Sequence, residues 1–295
     1  MYINFTRKLF ILTKFTKIMK YTTSIEADRK IEEDIEIIKK IIIKEFRPSS
    51  IILFGGFGHH GGSFKKVNGK ILPLNDYDLY LITEKKIDDK KLEKLGEKCS
   101  RALGRGGLEF VEKFTEKYDE NKFFHVDLHQ LSCKNLKNMY PTQRAFDLKN
   151  SLIIYGDKNI LNKIPNIKIS KSDAIRLLFN KLDHFSIAEG NSKMIKSVYA
   201  VKGFTDLCSA ILIWEGVYVS EYQKREKIFQ NLNVPKKLKK LVKKATKSKL
   251  YEGYHIKDID KFFEESKIWV EWTLKRILRE YLKIKSEDWK KICRI

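Results

Sequence analysis

Three aspartates are the residues of this sequence whose type and spacing best suit metal-dependent chemistry. Asp76 and Asp78 begin a predicted strand, where side chains two residues apart lie on the same face. Carboxylates that close repel each other unless a cation lies between them, and hard ions such as Mg²⁺ bind carboxylate and phosphate oxygens. Asp127 lies in the middle of a second apolar run, His125–His129. If the two strands are neighbours, the three carboxylates would hold two cations about 4 Å apart, as phosphoryl transfer requires.

A glycine turn precedes the first two aspartates. The apolar run Ile51–Phe54 ends at Gly55 and Gly56, which predicts a buried strand that leads into a turn. Glycines at such a turn let backbone amides approach a phosphate, because no Cβ intervenes. Further along, Val67–Lys70 contains the Asn-Gly pair of a hairpin tip. Before the strand, Ser24–Phe46 is predicted to be a helix capped by Ser24, with isoleucines at helical spacing.

The order of the remaining elements indicates an α+β or mixed α/β fold. The strand that begins at Asp76 is followed by a predicted helix over Asp88–Leu103 and by strands over Leu108–Phe114 and Phe123–Leu131. After Pro165, apolar residues recur at the three-and-four spacing of amphipathic helices. We therefore predict a small mixed-sheet domain over residues 24–165, an α-helical bundle domain over 166–295, and a basic, disordered extension over 1–23.

This arrangement resembles the DNA polymerase beta-like nucleotidyltransferase superfamily. That superfamily has a hydrophobic residue before Gly-Gly or Gly-Ser, then an acid–hydrophobic–acid–hydrophobic strand, and a third acid on a later strand. A longer similarity, to a little-characterised bacterial and archaeal group with a helical domain after the catalytic domain, covers residues 45–230. The three parts of the superfamily pattern read Phe54-Gly55-Gly56, Asp76-Tyr77-Asp78-Leu79 and Val126-Asp127-Leu128.

The resemblance implies an enzyme that uses Mg²⁺ or Mn²⁺. It would transfer a nucleoside monophosphate from a nucleoside triphosphate, such as ATP, to a hydroxyl acceptor and release pyrophosphate. Asp76 and Asp78 would bind the metal of the nucleotide, and Asp127 would help to bind a second metal and activate the acceptor hydroxyl. The residue set that it assigns to nucleotide binding is Gly55, Gly56, Ser63 and Lys202.

The histidines depart from the family pattern and leave an alternative open. His59 and His60 follow the glycines where related sequences tend to continue Gly-Arg-Gly-Glu, so an imidazole replaces the usual cation. His125, Asp127 and His129 share one face of a predicted strand and would bind zinc if His59 or His60 joined them. The three-aspartate metal site remains the leading interpretation, because it accounts for Asp127 better.

The charge of the chain favours polyanionic partners. Its 295 residues include 60 Lys and Arg against 38 Asp and Glu, a formal charge of +22. RNA, such as a tRNA end, is one such partner, although a general bias towards lysine explains the charge equally well. The segment Pro235–Lys249 carries eight lysines and no acid. It predicts a helix that either tracks a phosphate backbone or presents a solvated face.

Two further function classes remain open from the sequence. One is a catalytically degenerate regulator with the same fold, which the altered His59-His60 loop suggests; the other is a plain RNA-binding module. Lys202, Tyr222 and Arg225 would contact nucleotide, base or acceptor, or else lie on a solvated surface. Widely spaced cysteines and no apolar stretch of about 20 residues indicate a cytoplasmic protein without stable membrane insertion.

Overall fold

The structure is a computed structural model that describes residues 20–105 and 125–285. Its first helix, α1 (Ile25–Phe46), begins where the side chain of Ser24 accepts a hydrogen bond from the N–H of Ala27. Ile31, Ile35 and Ile38 on this helix are buried against the sheet. The predicted helix and its cap are therefore present, and the isoleucine stripe is its core-facing side.

Four strands, β1 (Ser50–Leu53), β4 (Tyr77–Ile82), β5 (Val126–Leu131) and β6 (Leu152–Gly156), form a mixed sheet. The order of the strands in it, within the described residues, is β5-β4-β1-β6. β1 is antiparallel to both β4 and β6, whereas β5 is parallel to β4. The parallel pairing requires a crossover, which includes α3 (Asp89–Ala102). The α+β prediction is confirmed, and the predicted strand over Leu108–Phe114 lies outside the described residues.

Alternation along the strands gives the sheet two differently covered faces. Tyr77 and Leu79 of β4 pack under α1 and α3, while Tyr80 and Ile82 face a second apolar cluster. That cluster is completed by α4 (Cys133–Lys137), α5 (Gln143–Lys149) and the 3₁₀ helix Ile160–Lys163.

The segment between β1 and β4 contains a one-turn helix and a hairpin. The one-turn helix α2 (Gly55–Gly58) directly follows β1. β2 (Phe64–Val67) and β3 (Lys70–Pro73) form the predicted hairpin. Its tip has Asn68 at φ 49° and Gly69 at φ 77°, the left-handed backbone that an Asn-Gly turn uses.

The C-terminal region is helical, as predicted. Its helices are α6 (Lys171–Ala188), α7 (Lys193–Trp214), α8 (Tyr222–Gln230), α9 (Lys236–Tyr251) and α10 (Ile259–Leu282), and α7 lies at the centre. Other helices pack around α7, which by length and composition alone would be able to cross a membrane. Because 83% of its most apolar stretch is buried inside the protein, that composition fits a core helix.

The start of the described chain is packed rather than free. Tyr21 and Thr22 are buried, and Asp28 accepts hydrogen bonds from both backbone N–H groups, at 3.2 and 2.8 Å. These residues belonged to the extension that we predicted to be disordered over 1–23, so packed structure begins earlier than expected. Residues 1–19 lie outside the described residues, and the domain limits 24–165 and 166–295 stay predictions.

Candidate active site

Asp78 and Asp127 lie directly opposite each other on the parallel strands β4 and β5. Because Tyr77 and Leu79 face the core under α1, the intervening Asp78 points to the other face of the sheet. Asp76 lies one residue before β4, and its Oδ1 accepts the backbone N–H of His125 at 3.0 Å. The structure thus places Asp78 beside Asp127, and Asp76 near enough for its charge to act on Asp78. Asp76 is not in the group of ligand atoms that lie within 4.8 Å of one another in the described residues.

The carboxylates influence one another electrostatically. Burial, together with the charges of Asp76 and Asp127, raises the pKa of Asp78 to about 7. The contact between Asp127 Oδ2 and His129 Nε2, at 3.3 Å, lowers the pKa of Asp127. The side chains of Asp76 and Asp127 remain 29% and 33% exposed, so a ligand can reach them. A divalent cation would relieve the repulsion among the three charges.

One group of side chains in the described residues is close enough to share a metal ion. Ligand atoms of Asp78, Asp127 and His129 all lie within 4.8 Å of one another. The zinc site that the sequence left open is not assembled around His59. The Nε2 atom of His59 is buried and lies 2.8 Å from the backbone oxygen of Asp147, and burial lowers the pKa of His59.

The glycine turn packs against the aspartates. Gly55 has φ +68°, and a Cβ added there would come within 2.3 Å of Asp78 Oδ2. A Cβ on Gly56 would lie 3.0 Å from the side chain of Asn75. The backbone N–H of Phe54 also donates to the backbone oxygen of Asp78, at 2.9 Å. Only a glycine lets the chain pass this close to the Asp78 carboxylate.

Ser63 is buried and connects the loop that follows the glycine turn to the helical region. Its N–H donates to Asn75 Oδ1 at 2.6 Å, and its Oγ accepts from Lys249 Nζ at 3.4 Å. Lys249 is 2% exposed and also donates to the hydroxyl of Tyr254 at 3.1 Å. It therefore holds a buried positive charge against hydroxyls and aromatic rings, and no carboxylate of the described residues pairs with it.

Lys202, on α7, adds a second cation to this side of the site. Burial alone would lower its pKa, but the neighbouring Tyr254 and Asp76 raise it above its ordinary value. Tyr254 responds in the opposite sense: burial acts to raise its pKa, while Lys249 and Lys202 lower it. Lys202 thus stays protonated close to Asp76 and Asp78. The nucleotide-binding role that the resemblance implies for it stays a prediction.

Lys249 and Asn75 are site residues that the sequence analysis missed. Lys249 continues the apolar stripe of α9, because it lies four residues after Ala245 and seven after Val242. A lysine on the buried stripe was the signal that would have found it. Asn75 offered no pattern of its own, since its role depends on two segments meeting.

Tyr222 and Arg225 are not solvated surface residues. Arg225 is buried, with its guanidinium 3.9 Å from the Tyr222 ring. The same guanidinium donates to Ser209 Oγ at 2.6 Å and to the backbone oxygen of Ser220 at 2.7 Å. Tyr222 in turn packs so closely on Gly61 that a Cβ there would lie 2.5 Å from its ring. These contacts join α8 to the loop that follows the glycine turn.

No family model and no curated protein matches this sequence. Among solved structures, the chain is similar to spectinomycin adenyltransferase AAD(9) from Enterococcus faecialis, determined with ATP and spectinomycin. The TM-score is 0.52 at 14% identity, over 83% of this chain and 98% of that chain. At this identity the similarity shows the fold alone. It confirms the nucleotidyltransferase fold, and the narrower bacterial and archaeal group stays a prediction.

Proposed function

We propose that this protein transfers a nucleoside monophosphate from a nucleoside triphosphate to a hydroxyl acceptor and releases pyrophosphate. The observation that supports this most directly is the pairing of Asp78 with Asp127 on adjacent parallel strands, beside Gly55. The similarity in fold to an adenyltransferase solved with ATP is consistent with it. A non-catalytic regulator would have no need for a carboxylate such as Asp78, whose pKa is raised by burial and by the charges of Asp76 and Asp127.

The donor set fits hard divalent cations, Mg²⁺ or Mn²⁺. Asp78 and Asp127 offer carboxylate oxygens on one face of the sheet, and Asp76 offers another from the residue before β4; Asp76 and Asp127 are partly exposed. Gly55 lets the backbone pass close to the Asp78 carboxylate, because a Cβ there would come within 2.3 Å of Oδ2. When bound, such cations would neutralise negative charge on the phosphates and on the attacking and leaving oxygens.

The remaining residues have complementary tasks. Gly55 and Gly56 let the backbone approach the triphosphate, and Lys202 and Lys249 supply positive charge from the helical region. These two lysines would replace the cation that the His59-His60 loop lacks, since His59 is engaged with Asp147. Asp127 would orient the acceptor hydroxyl and accept its proton.

An RNA end is the acceptor that the helical region favours. The exposed side of α9 carries Lys236, Lys240, Lys243 and Lys247, while the last turn of the same helix brings Lys249 to Ser63. A polyanion bound along α9 would therefore end near the aspartates. A small hydroxyl compound, like the spectinomycin of the structural neighbour, is the alternative acceptor.

Cys99, Cys133 and Cys208 are free thiols, in keeping with a cytoplasmic protein.

Incubation with labelled nucleoside triphosphates and a total cellular extract tests the activity. We expect label in an acceptor with wild-type protein and none with Asp78→Asn, because the lost charge weakens the cation site. Asp183→Asn, at an exposed position on α6, is the matched control and should remain active. Undiminished transfer by Asp78→Asn would remove the proposal.

The salt dependence of RNA binding separates the acceptors. An affinity that falls steeply between about 50 and 200 mM salt supports RNA, because released counterions drive such binding. No binding at low salt would leave the small hydroxyl compound. If nucleoside triphosphates bind without dependence on divalent cations and no transfer occurs, the regulator is the better description.

A further inference from the structure

His129 stands beside the two paired aspartates in a fixed orientation. It lies opposite Tyr80 in the register of β4 and β5, and the two ring centroids are 5.1 Å apart with a tilt of 35°. Tyr80 is itself held, because its hydroxyl accepts a hydrogen bond from Arg144. The imidazole therefore approaches the carboxylate of Asp127 from a supported position, with Nε2 at 3.3 Å from Oδ2.

The distances suit a shared cation. Two ligands that each lie about 2.1 Å from one metal ion are at most about 4.2 Å apart. The ligand atoms of Asp78, Asp127 and His129 already lie within 4.8 Å of one another. Small side-chain rotations would close the remaining difference, and the partly exposed positions of Asp127 and His129 leave room for them.

We propose that His129 is a cation ligand and that it makes the Asp78–Asp127–His129 group selective for Mn²⁺ over Mg²⁺. The inference rests on the proposed function, since it concerns the same carboxylates. Mg²⁺ strongly prefers oxygen ligands, whereas Mn²⁺ accepts imidazole nitrogen together with carboxylate oxygen. A site of two carboxylates and one imidazole therefore favours the second ion.

His125, the residue directly before β5, provides an internal comparison. Its Nδ1 comes within 3.3 Å of Asp76 Oδ1 but is buried without a hydrogen-bond partner among the described residues. It is absent from the group of ligand atoms that converge around Asp78 in the described residues. Removal of this imidazole should therefore leave the proposed Mn²⁺ site intact.

Electron paramagnetic resonance of Mn²⁺ bound to the full chain, without nucleotide, tests the inference. His129→Phe keeps an aromatic ring against Tyr80 but removes both nitrogens, and His125→Phe is the matched control. We expect nitrogen hyperfine coupling to Mn²⁺ in the wild type and in His125→Phe, and its loss in His129→Phe. The Mn²⁺ dissociation constant of His129→Phe should rise about 10-fold or more, with little change for Mg²⁺ measured by competition.

The outcomes separate this inference from the proposed function. Absence of nitrogen coupling in the wild type overturns it without any variant, as does an unchanged Mn²⁺ affinity in a folded His129→Phe protein. The second result would leave His129 as an ion-pair partner of Asp127 alone. Neither readout needs turnover. A protein that shows His129-dependent coupling but transfers no nucleotide would retain the cation site and lose the proposed function.

Discussion

Lys249 Nζ lies 3.4 Å from Ser63 Oγ, and this contact brings the last turn of α9 to the loop that follows the glycine turn. The lysine is buried, and it contributes charge without a carboxylate partner among the described residues. An anionic ligand between the sheet and the helical region would offset the cost of burying that charge.

Replacement of Lys249 by methionine should weaken nucleotide binding without unfolding the protein. Loss of a charged hydrogen-bond donor costs about 1.5–3 kcal/mol, so we expect the dissociation constant of the triphosphate to rise about 10-fold or more. Lys243→Met, at an exposed position of the same helix, should leave the constant unchanged. Calorimetric titration measures both, and equal affinities in the two variants would contradict a role for Lys249.

Gly55→Ala should slow transfer strongly, whereas Gly69→Ala should not. Both glycines have positive φ, +68° and +77°, so an alanine suffers similar backbone strain at either position. Only at Gly55 does the new Cβ meet Asp78 Oδ2, at 2.3 Å; at Gly69 no atom of the described residues lies within 4 Å of the new Cβ. Displacement of the carboxylate should lower the transfer rate about 100-fold. Similar rates in the two variants would exclude a role for the close approach.

The stability of the metal-free protein should depend on pH through Asp78. Its pKa rises from 3.8 to about 7 on folding, through burial and the charges of Asp76 and Asp127. This carboxyl therefore contributes stability below about pH 4, and the contribution is lost as the pH rises to about 7. Asp78→Asn lacks the titration, so the excess of its melting temperature over that of the wild type should grow across this range. A divalent cation should reduce the difference at pH 8, and a difference independent of pH would contradict the assignment.

Tyr77→Phe should lower the free energy of unfolding by about 1–3 kcal/mol, because it removes a buried hydrogen bond. The Tyr77 hydroxyl donates to Asp34 Oδ2 at 2.7 Å, and Asp34 is 2% exposed. Its remaining oxygen pairs with Lys30 at 2.6 Å. Denaturant unfolding measures the change, with Tyr155→Phe on the exposed part of β6 as control. Equal stabilities would mean that Asp34 finds another donor.

Local patterns predicted most of the elements, since periodicity and capping act within a few residues. Ser24 capped α1, the Asn68-Gly69 pair formed a hairpin tip, and the alternation in Asp76-Tyr77-Asp78 put Tyr77 in the core. The burial of His59 and Lys249 did not follow from those patterns. Each depends on a partner that is distant in the chain, Asp147 for His59 and Ser63 for Lys249.

The sequence by itself determined which side chains would share a face of a strand or helix, because the backbone repeats of 2.0 and 3.6 residues are local properties. Only the tertiary structure decided that β5 runs parallel to β4, which sets Asp127 opposite Asp78 and His129 opposite Tyr80. Strand order and direction follow from the packing of α1 and α3 on one face, and that packing is a balance over the whole chain. The same balance brings Lys202 of the helical region close to Asp76, and Lys249 to Ser63, each more than a hundred residues earlier in the chain.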